Sequence, residues 1–192
     1  MNLHLMDTNL TVLIVVAILL ATAIVWLYAG RRKSTTVKLR KKFGAEYDRA
    51  VQIHGAGRKA EEKLEDREKR VEKFKIRDIG PMERERFLKQ WESVQSHFVD
   101  SPKGAVTEAD DLVSALMKTR GYPVSDFDQR ADDISVDHPH VIENYRAAHE
   151  IALRVGKDEA TTEELRMAMI YYRSLFEDLA HAPASLEIKE VA

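Results

Sequence analysis

Residues 81–123 read PMERERFLKQWESVQSHFVDSPKGAVTEADDLVSALMKTRGYP, and their spacing predicts two amphipathic helices separated by one stop signal. Pro81 suits a first helical position, where no backbone N–H is needed, and Glu83 and Glu85 complement the helix dipole. Phe87, Trp91, Val94 and Phe98 recur at intervals of four, three and four, the mark of one buried face. Ser101-Pro102 ends that helix and caps the next, in which Val106, Ala109, Leu112, Val113 and Leu116 share a side. Gly121, ahead of Tyr122-Pro123, has the character of a C′ residue.

Toward the C-terminus the same grammar continues. Ser125 and Asp128 have capping-box spacing and predict a short turn through Ala131 to Ile134. Pro139 opens a helix whose apolar face is Val141, Ile142, Tyr145, Ala148, Ala152 and Val155. Thr161 with Glu164 is a second capping box, followed by Leu165, Ala168, Met169, Tyr172, Phe176 and Leu179 at helical spacing. No strand-length stretch alternates with period two. The expectation is all-α, with four main helices around residues 81–100, 102–120, 138–155 and 162–180.

Toward the N-terminus the composition changes. Residues 57–75 carry a thin stripe of Ala60, Leu64, Val71 and Phe74, interrupted by Arg67, on an otherwise charged helix. Such a helix packs lightly on one neighbour or stands in solvent as a stalk. Residues 31–75 hold 16 Lys and Arg against 8 Asp and Glu, a net of +8, while residues 76–192 are net −9. The acidic distal part argues against a nucleic-acid surface, which needs clustered positive charge.

From Asn9 to Gly30 there is no charged residue, and TVLIVVAILLATAIVWLYAG is almost wholly apolar. At about 1.5 Å per residue this predicts one helix spanning a hydrocarbon core of roughly 30 Å. A cleaved signal peptide is the competing reading, but MNLHLMD lacks the usual basic n-region. Arg31, Arg32, Lys33, Lys38, Arg40, Lys41 and Lys42 follow the run, so the positive-inside rule places the N-terminus out and the remainder in the cytoplasm. The same seven side chains are the candidate contacts to anionic lipid headgroups. Ala17 and Ala21 make a small-xxx-small pair through which two such helices could associate.

Chemistry is sparse. The absence of cysteine excludes disulfides, thiolate metal sites and a Cys nucleophile. The densest polar cluster, ADDISVDHPHVIENYRAAHE, offers Asp137, His138 and His140 as candidate metal ligands. On a regular helix two such His residues diverge by about 200°, and neither HExxH nor ExxH spacing occurs. Helix capping by Asp137 and its neighbours is the plainer explanation. No phosphate loop, nucleophile elbow or cofactor motif is present in the sequence, so no catalytic residue and no cofactor is assigned.

The segments LRKKFGAEYDRAV (39–51), WESVQSHFVDSPKGAVTEADDLVSALMKTRGYP (91–123) and ISVDHPHVIENYRAAHEIA (134–152) resemble a family of bacterial single-pass membrane-anchored helical proteins with no assigned activity. The resemblance implies a bacterial inner-membrane setting and transfers no residue role.

The expected layout is therefore a short extracytoplasmic segment 1–8, a transmembrane helix 9–30, a basic juxtamembrane stalk 31–78, an acidic helical bundle 79–181 and a tail 182–192. The expected function is a membrane-anchored cytoplasmic adaptor or scaffold for a protein partner, with Phe74, Leu88 and Tyr171 as off-face contact candidates. Two alternatives stand beside it: a metal-binding or hydrolytic domain using the 132–150 Asp/His cluster, and a structural protein that self-associates into a homo-oligomer.

Overall fold

A computed structural model describes residues 13, 15–23, 26, 35–55, 57–123 and 125–181. It divides into two compact units, Met1–Lys41 and Lys42–Ala192. In the first unit residues 13, 15–23, 26 and 35–41 are helical, and Leu13, Val15, Val16, Ile18, Leu19, Leu20 and Trp26 are exposed.

The single-pass transmembrane helix expected over 9–30 is not supported. Among the described residues no helix is long and apolar enough to cross a membrane. Of that run, residues 13, 15–23 and 26 are described, and all of them are helical. The rest of 9–30 lies largely outside the described residues, as do Arg31, Arg32, Lys33 and the tail 182–192. With the span go the N-out topology, the inner-membrane location and the argument that the basic cluster meets an anionic leaflet. Lys38, Arg40 and Lys41 are exposed on helix, and Lys42 pairs with Glu68 at 2.6 Å.

The second unit contains α1 (Ala45–His54), α2 (Arg58–Val71), α3 (Pro81–Asp100), α4 (Pro102–Arg120), α5 (Phe127–Asp137), α6 (Ile142–Val155) and α7 (Thr162–His181). Residues 45–71 of the expected stalk belong to this unit: α1 and α2 form a hairpin, and α2 packs on α5. The turn between them uses Gly55 and Gly57 at positive φ, which a side chain would resist. The other main packings are α6 on α7, α3 on α4 and α4 on α7.

The core lies between α3, α4, α6 and α7. Phe87, Trp91 and Val94 of α3 are buried, and the Trp91 ring stacks on Phe176 with centroids 4.8 Å apart. The predicted faces of α4 and α7 are buried throughout, whereas Ala152 and Val155 of α6 are only half-buried against the core. Phe74, Leu88 and Tyr171 also pack half-buried on this core, so they are not free to anchor a partner.

Local signals explain most boundaries. Glu83 accepts the Gly80 N–H at 3.1 Å and both Arg77 guanidinium nitrogens at 2.8 Å, which fixes the start of α3. Arg77, with the Gly80 amide, holds the Glu83 carboxyl down to about 2. Thr161 and Glu164 form the predicted capping box at α7, the backbone N–H of Thr161 donating to Glu164 at 2.8 Å. At α5 the cap is Asp126, accepting the Gln129 N–H at 2.9 Å, rather than Ser125. The expected short turn there is a full helix of 11 residues.

Candidate functional site

The segment between α5 and α6 is where the predicted chemistry collects. His138 follows the last residue of α5, and residues 139–141 form a turn before α6 begins at Ile142. The helix expected from Pro139 therefore starts three residues later. The difference matters because it frees the two imidazoles from helical geometry. Instead of diverging, both reach one carboxylate on α7: His138 Nδ1 bonds one oxygen of Asp178, and His140 Nε2 lies 3.0 Å from the other. His138 is buried, Asp178 half-buried and His140 exposed. Burial alone would raise Asp178, but the hydrogen bond and charge of His138, reinforced by His140, hold its carboxyl below the ordinary value.

Asp137, the third candidate ligand, turns elsewhere and accepts the Tyr122 hydroxyl at 2.8 Å. Burial, with the Asp137 charge beside it, pushes the Tyr122 phenol up. The His pair and Asp178 supply two imidazoles and one carboxylate that is already saturated by them. Among the described residues no group of three or more His, Asp and Glu side chains is placed to hold a metal ion. The candidate set Asp137, His138 and His140 is thus corrected: the two His converge, the Asp does not, and the partner they share is Asp178.

A cleft of about 670 Å³ opens at this cluster, lined by His140, Val141, Ile170, Arg173, Ser174, Glu177, Asp178 and His181. The α7 contributors fall at 170, 173, 174, 177, 178 and 181, one helix face over three turns or about 16 Å. Ile170 is 45% exposed, an apolar side chain in a charged setting. Arg173 pairs with Glu177 at 2.7 Å, and Ser174 accepts the Asn144 amide at 3.1 Å. Among the described residues no hydroxyl bonds to either imidazole, so an Asp–His–Ser relay is not assembled. The arrangement is suited to binding: a largely polar cleft in which Ile170 exposes an apolar side chain among paired charges.

The remaining acids of the cluster have partners that the sequence did not reveal. Arg67 of α2 is buried and bonds Glu46 and Asp132, each at 2.7 Å. Arg146 of α6 reaches the same two carboxylates at 2.9 and 3.1 Å. Arg70 bonds Asp133 at 2.6 Å. The signal that could have found this was Arg67 itself, the charge breaking an apolar stripe. His149 stacks on Phe127, centroids 3.5 Å apart, and burial lowers its pKa.

No family model, curated protein or solved structure matches this chain.

Proposed function

We propose that this protein is an adaptor that binds a partner protein through an amphipathic helix laid in the cleft between α7 and the α5–α6 turn. The observation that carries the reading is the three-turn α7 face itself, where the half-exposed Ile170 and the floor residue Val141 are bordered by Arg173, Glu177 and Asp178. In helix-in-groove recognition an amphipathic helix lays its apolar face into a groove through anchors about one turn apart, for which Ile170 offers a contact. The charges are of both signs, which fits register and orientation better than bulk attraction. The convergence of His138 and His140 on Asp178 keeps the α6 end of the cleft fixed against α7.

The test is photo-crosslinking in the native cells from a reactive residue placed at Arg173 of the full chain. One near-stoichiometric protein adduct is expected, and Ile170→Asp should abolish it while leaving the melting temperature unchanged. An adduct insensitive to Ile170→Asp, or no protein adduct at all, contradicts the reading.

A further inference from the structure

The α1–α2 hairpin is attached to the rest of its unit in an unusual way. Its apolar residues Tyr47, Ala50, Ala60, Leu64 and Val71 are buried, yet they are not members of the continuous core that runs through α3–α7. Charge crosses from the hairpin to the bundle. Arg67 and Arg70, one turn apart on α2, insert between Asp132 and Asp133 of α5, while Glu46 of α1 takes Arg146 of α6. Arg67 also lies 3.4 Å from the Ser135 hydroxyl.

Such a joint fixes geometry more than it adds stability. Ion pairs removed from water return little net free energy unless every polar atom is satisfied. Here Glu46 Oε2, Arg70 Nη2 and Arg146 Nε are buried without a hydrogen-bond partner. Those three atoms offset part of what the ion pairs contribute to the joint. A hinge is also present. Residues 72 and 73 form a turn after α2, whereas Phe74 and Ile76 already pack on the core and the Arg77 N–H donates to the Arg120 carbonyl at 2.8 Å.

We infer that the face formed by Asp132, Asp133 and Arg146 is an exchangeable socket for a basic helix. In this structure α2 is its internal occupant, and a partner helix with two arginines at i and i+3 replaces it when the hairpin swings away on residues 72–73. Departure of the hairpin removes Glu46, Arg67 and Arg70 together and leaves two adjacent carboxylates beside one arginine, a net negative surface matched to such a helix. The inference does not rest on the cleft between α7 and the α5–α6 turn, which uses other residues on other faces.

Hydrogen exchange on the full chain tests the hinge. Residues 45–71 should exchange as one unit, at least about tenfold faster than α4 and α7. The Asp132→Asn, Asp133→Asn double variant should accelerate that unit alone. Exchange of the hairpin in step with α7 would overturn the inference. For the socket, the probe is a labelled peptide with the sequence of residues 58–71, titrated into the full-length Arg67→Ala, Arg70→Ala variant. Saturable binding is expected, lost when both peptide arginines are replaced by alanine and unaffected by Ile170→Asp in the protein. Equal binding of the two peptides, or none, would overturn it even if the hinge opens.

Discussion

Asp178 shows how one side chain can organise a region. Both of its oxygens are taken by imidazoles from residues 138 and 140, which ties the α5–α6 turn to the last turns of α7. Its carboxyl is held below the ordinary value by the His138 hydrogen bond and charge against the opposing effect of burial. A carboxylate depressed in the folded state stabilises the fold above its unfolded value near 3.9, and that contribution disappears as pH falls through the folded value. The difference in melting temperature between the wild type and Asp178→Asn should therefore be full above about pH 5 and shrink below about pH 4. A pH-independent difference would assign Asp178 a purely steric role. None of this was legible locally, because Asp178 is about forty positions from its partners and stands on α7 like any surface acid. Arg67 was half legible: the sequence marked it as an intruder on an apolar stripe but could not supply Glu46 and Asp132, which arrive from α1 and α5.

Among the elements, those with strong periodicity and caps were readable. The helices expected at 81–100, 102–120 and 162–180 are α3, α4 and α7, because apolar spacing and Pro, Ser-Pro or Thr-x-x-Glu signals agree there. The sequence was misleading where charge hides the pattern. In α5 the buried set is Ala131, Asp133, Ile134, Ser135 and Val136, two of them polar, so no apolar stripe announces a helix. Close approach between elements is equally invisible until the fold is known. Gly121 ends α4 at φ 103°, as its C′ position suggests, but a Cβ there would also lie 2.4 Å from the Lys75 carbonyl oxygen. The glycine is thus required twice, for the left-handed turn and for the passage of the Lys75–Ile76 backbone over it. Gly121→Ala should cost about 2–4 kcal/mol, combining left-handed strain with a backbone displacement. Denaturant unfolding of the two proteins side by side measures this, and a loss below about 1 kcal/mol, the cost of the backbone conformation alone, would show that the Lys75 segment yields freely.

At the scale of the whole molecule, the bipolar charge seen in the sequence has an internal use. The basic residues of α2 and the acids of α5 neutralise each other across a joint, so part of the apparent surface asymmetry is consumed in folding. The N-terminal apolar run led to a membrane-spanning expectation that the described helices do not support. What remains is a helical unit with a cleft along α7 and a polar joint between α2 and α5, and the adaptor reading concentrates on the cleft. Methyl NMR of the full-length protein, followed while the helix recovered by crosslinking is titrated in, tests that reading most directly. The account predicts saturable shifts at Ile170 and Val141, with the exposed Met82 on α3 unmoved. Shifts at Met82 with Ile170 and Val141 silent would contradict it.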